Sequence, residues 1–240
     1  MTVPAGPVGV IFAVAVESDA FARLAAPRRE LRAAALLIHE GTVAGVPVAW
    51  CVAGMGAMAA RHAARLLLAG HAPGLLVSAG FAGGLDPRLS RGAVVRPERA
   101  VTPAGDPIDL AHGAPAAGAI VTVTNVIATA PAKRRLAAET GARLVDMETH
   151  AVATAARAAG LPCAAVRVVS DTAGDELPAE VARLAEPRST WHRLGTAVGM
   201  LGRRPRLALD LWRLYEHAVV DGRSLAVALA DLCAGLPGRS

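Results

Sequence analysis

Aromatic side chains are nearly absent: three Phe, three Trp and one Tyr make up 3% of 240 residues. A core built from this chain therefore draws on Ala, Val and Leu. Lysine is rarer still. Lys133 is the single ammonium, arginine supplies the rest of the positive charge, and the imbalance reads as a coding bias without functional content. Cysteine is limited to Cys51, Cys163 and Cys233, odd in number and far apart. That spacing excludes a disulfide framework and offers no zinc pattern, which leaves three small buried residues. No run reaches the ~18 apolar residues of a membrane-spanning helix. The opening MTVPAGPVGVIFAVAVESDAF lacks a basic leader and is interrupted by Glu17 and Asp19, so it is not read as a signal peptide. A soluble, cytoplasmic chain is expected.

What the chain does have is apolar mass: 53% hydrophobic against 19% charged residues, which argues for a packed core and against disorder. The formal charge is +5. Most of it lies in the tail, where Arg188 to Ser240 holds eight arginines against four acidic residues. No basic cluster interleaved with aromatics precedes it, so nucleic acid is not an expected partner.

Apolar periodicity predicts an α/β fold, with a mainly parallel or mixed central sheet flanked by helices. Strands are expected at Val8–Val16, Ala34–Ala44, Val46–Ala53, Leu75–Ser78, Gly92–Val101 (with a bend or an edge at Pro97), Ile120–Val123, Leu144–Asp146 and Cys163–Ser170. Helices are expected at Ala57–Ala69, from Pro131 to Gly141, and at Glu148–Ala159. Thr102 to Pro115 reads as loop. From about Pro178 the chain reads as helical, with breaks at Pro187, Gly202 and Pro205. One α/β domain is assigned to 1–188, with a helical extension over 189–240 packed on it.

In such folds a site lies at the carboxyl ends of the strands, and polar groups collect there. Glu17, Glu148 and Asp171 each follow an apolar strand, where desolvation can tune a carboxylate for acid–base work; a helix N-cap is the structural alternative, above all for Asp171 and Asp19. Gly54 and Gly56 fit a loose GxGxxA fingerprint between strand and helix. The ribose-binding acid about twenty residues on is missing, so a nicotinamide enzyme is disfavoured, although these glycines can still bring backbone amides to an anion or a water. Gly80 and Gly83 belong to a second glycine-rich run. The histidines (39, 62, 71, 112, 150, 192 and 217) form no HxxxH or HExxH pair, so no metal site is expected. There is no GxSxG for a serine hydrolase and no GxxxxGK[ST] for ATP hydrolysis.

The segments AVAVESDAF (13–21), SAGFAGGLDP (78–87), VDMETHAVA (145–153) and VRVVSD (166–171) occur in the order seen in the nucleoside phosphorylase and nucleosidase superfamily. The chain resembles its branch of methylthioadenosine/S-adenosylhomocysteine nucleosidases and futalosine hydrolases. It is most similar to the hopanoid-associated phosphorylases, in the stretch TAPAKRRLAAETGARLVDMETHAVATAARAAGLP and in the tail around RRPRLALDL.

The resemblance implies cleavage of the N-ribosidic bond of a 5′-substituted adenosine, with adenosylhopane the leading substrate. Methylthioadenosine or S-adenosylhomocysteine is the nearer alternative, and a nucleoside-binding protein without turnover the alternative of another class. Glu17 matches the carboxylate that activates water, with Asp19 its rival. Met147 and Glu148 match the ribose-binding pair. Asp171 matches the acid that protonates the leaving purine, with Ser170 and Arg167 as its supports. Asn125, Ile127 and Ala128 fall where the base is contacted. No cofactor is implied; phosphate is a candidate co-substrate, and self-association is expected.

One departure from the family pattern is Phe81, which stands where many members carry a hydroxyl residue in the glycine run. It contacts an apolar 5′ substituent or fills the core. Arg61 and Arg96 are the candidates for binding phosphate, and the choice between phosphorolysis and hydrolysis stays open at this point. The stretch Pro205–Ala218 places Leu207, Leu211 and Leu214 at helical spacing beside Trp212, after Arg203, Arg204 and Arg206. That pattern suits either a helix packed on the sheet or weak contact with an anionic membrane.

Overall fold

The computed structural model describes residues 6–111, 117–177 and 205–236, and in the last helix side chains from 216 onward. The Leu207–Leu214 stripe, its neighbouring arginines, His112 and His192 therefore lie outside the described side chains.

Among the described residues, eleven strands form one sheet. β1 (Val8–Phe12), β4 (Val46–Val52), β5 (Leu75–Gly84) and β11 (Cys163–Asp171) make its parallel centre, since β1 pairs with β4 and β5, and β5 with β11. A hairpin extends one side, with β3 (Leu36–Val43) antiparallel to β4 and β2 (Arg29–Ala33) antiparallel to β3. On the other side follow β10 (Leu144–Asp146), β9 (Ala119–Thr122), β7 (Arg99–Thr102) and β8 (Gly105–Asp109). β6 (Val94–Val95) pairs antiparallel with β11. The sheet is thus mixed, with antiparallel pairings at its margins and at the β5–β10 contact.

Several boundaries differ from the sequence reading. β1 stops at Phe12, and helix α1 (Ala15–Leu24) takes over the rest of the expected strand. The glycines after Ser78 do not end β5; it runs on to Gly84. Gly92–Val101 divides into β6 and β7 around Pro97, because proline supplies no ladder donor. Part of the expected 102–115 loop is β8. β2, polar and exposed, carries no apolar alternation to betray it. The remaining helices are α2 (Ala57–His71), α3 (Ala130–Thr140), α4 (Thr149–Ala158) and α5 (Pro205–Ala234).

Side chains alternate across a strand, and the central strands are apolar on both faces. Along β11, Cys163, Ala165 and Val169 join one core with Ile11, Leu67 of α2 and Val152 of α4. Ala164, Val166 and Val168 join the other with Val10, Phe21 of α1 and Leu225 and Leu229 of α5. The described aromatics are concentrated in this second core: Phe21 stands 5.7 Å from Phe12 and edge-on to Trp50 at 5.5 Å between ring centroids. The last turns of α5 are core elements, with Leu225, Leu229, Leu232, Cys233 and Leu236 all buried. All three cysteines are buried, and burial pushes the Cys51 and Cys163 thiols up to about 12 and Cys233 to about 11.

Candidate active site

Glu17 and Asp171 lie against the carboxyl end of β5, and Glu148 is close enough to Glu17 for their charges to interact. Glu17 lies in the first turn of α1, at its third position, where a carboxylate can reach back to the orphan amides of a helix start. Its Oε2 accepts from the amides of Ala13 (2.9 Å) and Val14 (3.0 Å), and its Oε1 from the amide of Phe81 in β5 (2.8 Å). Gly80 must be glycine here, since a Cβ would lie 2.6 Å from Glu17 Oε1. Glu17 is 4% exposed, and burial raises its pKa against the opposing pull of these amides and of Arg167. Asp19, two residues on, is exposed. Of the two candidate bases, Glu17 is the buried one and Asp19 the exposed one.

Glu148 caps the entry to α4 beside the glycine turn that precedes α2. The amide of Gly56, a residue with φ of 96°, donates to Glu148 Oε1 at 2.6 Å. One backbone amide of this fingerprint, that of Gly56, meets a carboxyl group, and it is the protein's own. Gly54 ties the same turn to the start of α1 through a bond from its amide to the Ala13 carbonyl (3.1 Å). Burial raises Glu148 to about 7; the nearby charges of Asp146 and Glu17 push the same way, while the Gly56 amide and Arg167 oppose.

Asp171 ends β11. Strand register slips between Val169 and Asp171, leaving Ser170 as an extra residue and pairing Asp171 with Gly83 of β5. A bulge of this kind re-aims the side chains that follow it. The Ser170 hydroxyl donates to Asp171 Oδ1 (2.7 Å). Lys133 Nζ lies 2.5 Å from Asp171 Oδ2. Sequence reasoning passed over this lysine. Its signal was helical spacing, for Lys133 stands in line with buried Ala130 and Leu136 on one face of α3.

Arg167 requires a correction, since it does not support Asp171. It lies in the same alternating row as Cys163, Ala165 and Val169 and turns toward α4. There its Nη2 meets Asp146 Oδ2 (2.7 Å), Ser78 Oγ (2.6 Å) and Thr149 Oγ1 (2.7 Å). Asp146 also accepts from Thr122 (2.7 Å) and from the amide and hydroxyl of Thr149. The network fixes the Asp146–Thr149 corner on which Met147 and Glu148 ride.

The residues expected at the base are distributed unevenly. Asn125 and Ile127 line a cavity of about 460 Å³ with Ala57, Arg61, Thr122 and His150. Ala128 is not among the residues lining that cavity; its carbonyl accepts from the amide of Leu177 (2.8 Å). Met147 is half-buried, and its amide donates to Glu148 Oε2 (3.3 Å). Phe81 is half-buried and packs on the second core beside α1 and α5. Of the phosphate candidates, Arg61 is exposed on α2 and Arg96 half-buried after β6.

A family model described as the phosphorylase superfamily matches residues 7–116 and 113–198. Among solved structures, the chain is similar to the 5′-methylthioadenosine/S-adenosylhomocysteine nucleosidase of S. pneumoniae with a transition-state inhibitor: 17% identity, 96% of this chain and 99% of that one, TM-score 0.74. An S-adenosylhomocysteine nucleosidase from Streptococcus pyogenes, in complex with 5-methylthiotubericidin, matches at 18% identity over 98% of both chains, with a TM-score of 0.74. The futalosine hydrolase of Helicobacter pylori matches at 15% identity, over 94% of this chain and 97% of that one, with a TM-score of 0.69.

Proposed function

We propose that this chain, which belongs to the phosphorylase superfamily, releases adenine from a 5′-substituted adenosine by attack of water on the ribose C1′. The observation that carries the reading is the seating of Glu17 and Asp171 on Gly80–Phe81 and Gly83 of the one strand β5, with Glu148 close enough to Glu17 for their charges to interact. Glu17 takes a proton from the attacking water, a role suited to a carboxylate that burial holds above its ordinary range. Glu148 accepts the ribose hydroxyls and sets negative charge beside the cationic sugar of the transition state. Asp171 gives its proton to the purine ring as the C1′–N electron pair departs with the base. Phe81, in place of a hydroxyl residue, supports water over phosphate as the acceptor.

The 5′ substituent assigned first is the hopane chain, on the strength of the hopanoid-type motifs; methylthioadenosine and S-adenosylhomocysteine come next, by likeness to the nucleosidase structures. Self-association and a cytoplasmic setting belong to the same reading. Adenine release is to be measured from adenosylhopane, methylthioadenosine and S-adenosylhomocysteine, each with and without phosphate. Phosphate-dependent formation of ribose 1-phosphate products would overturn the hydrolytic step. Asp171→Asn is expected to fold and to lose at least ~10²-fold in turnover, the usual worth of a general acid; turnover within tenfold of the unsubstituted chain would remove Asp171 from the mechanism.

A further inference from the structure

We infer that Lys133 is the positioning residue of the leaving-group acid: it aims Asp171 at the purine and carries the counter-charge to the carboxylate that proton donation leaves behind. The inference rests on the reading of Asp171 given above. Lys133 is 0% exposed, an extreme for a residue type that is almost never fully buried without a partner. Its ammonium has three donors and each is used: on Asp171 Oδ2 (2.5 Å), on the Thr172 carbonyl (2.7 Å) and on the Asp175 carbonyl (3.1 Å). The turn beneath Asp171 is closed from within by Asp175, which accepts from the Thr172 amide at 2.7 Å. Lys133 itself sits on α3, whose start is fixed by the Thr129 hydroxyl and by Pro131 in its first turn. One ammonium thus ties the end of β11 to α3, while Ser170 holds the opposite oxygen of the same carboxyl group.

The chemistry gives this arrangement a purpose. The step requires a proton on Asp171. Its O–H bond breaks, an N–H bond forms on the purine, the C1′–N bond breaks, and that bond's electron pair settles on the base. Negative charge appears on Asp171 during the step, at the atom beside which the ammonium is fixed. The ammonium stabilises the carboxylate that proton donation leaves behind, and its three fixed bonds hold the acid's orientation through the step. A lysine that merely filled space would have no such effect.

The two roles separate on the leaving group. A purine needs a proton to depart, whereas the p-nitrophenolate of p-nitrophenyl β-D-ribofuranoside does not. Lys133→Met is expected to lose ~10²-fold in kcat/KM on methylthioadenosine and less than about threefold on the nitrophenyl riboside. In a Lys133→Met/Asp171→Asn double variant the purine loss should equal that of Asp171→Asn alone, because the two side chains act as one unit. Equal losses on both substrates, or no loss on either, would overturn the inference. If Lys133→Met does not fold, Lys133→Arg is read by the same comparison, since it keeps the charge but replaces the compact three-donor head by a planar fork. An unsubstituted chain silent on every purine nucleoside takes this inference down together with the proposed function. An active chain whose variants fall equally on both leaving groups takes down this inference alone.

Discussion

At the scale of single residues, the site is assembled from carboxylates that the fold holds against their own preference for water. Glu148 shows the cost most clearly. Its pKa is held at about 7, first by burial and then by Asp146, so over the interval from its ordinary value of 4.5 the folded chain binds a proton that the unfolded chain has released. Stability on this account is full below the ordinary carboxylate range and is lost as pH rises through about 7. Glu148→Gln removes the penalty. It is expected to be more stable than the unsubstituted chain by about 2–3 kcal/mol near pH 8, with the gap closing near pH 4. Urea melts at the two pH values check this. Activity should move the other way, with the substituted chain losing the ribose-binding carboxylate. In the unsubstituted chain, the same titration should give kcat/KM an acid limb near pH 7.

Legibility in the sequence also divides at this scale. Glu17, Glu148 and Asp171 could be picked out because each follows an apolar run in a motif of recognisable order. The partners of those acids could not, since hydrogen bonding is decided by orientation. Arg167 is four residues from Asp171 in sequence, yet the alternation of β11 turns it to Asp146. Lys133 is 38 residues from Asp171 and touches it.

At the scale of elements, long apolar strands and capped helices were readable and edges were not. α3 opens at Thr129 and Pro131 and closes at Gly141, as its turn chemistry dictates. β5 was underestimated because Gly80, Gly83 and Gly84 look like breakers. They are small because the carboxylates of Glu17 and Asp171 and the backbone of β11 lie against them. The long helix α5 makes a similar approach: Gly222 faces the Val16 carbonyl, and a Cβ there would lie 2.7 Å from it. The same helix also connects to the residue before Asp171, for Asp221 pairs with Arg91 at 2.6 Å, and Arg91 Nε donates to the Ser170 carbonyl at 2.9 Å. Gly222→Ala is therefore expected to push α5 away from the residue beside Glu17. It should cost about 1–3 kcal/mol in overpacking and lower kcat while leaving KM within a few-fold. Thermal melts and steady-state kinetics check it; an unchanged melt and unchanged kcat would show that the helix yields freely.

At the scale of the whole molecule, two large cores pack on opposite faces of one sheet, and at the end of β5 the carboxylates of Glu17 and Asp171 lie against its glycines. The fold class was legible because apolar strands buried on both faces read as continuous runs. The antiparallel margins were not, since they add polar strands outside that pattern. The packed last turns of α5 make the C-terminal helix part of the second core, which composition alone could not distinguish from a surface helix.

The solitary lysine has a practical corollary. An endoprotease that cuts only after lysine has one target peptide bond in all 240 residues, and its recognition side chain is wholly enclosed. Cleavage should be undetectable in the native state and should appear as two fragments once the polypeptide opens. Digestion rate against denaturant therefore becomes a clock for release of α3, which mass spectrometry can follow without any engineered label.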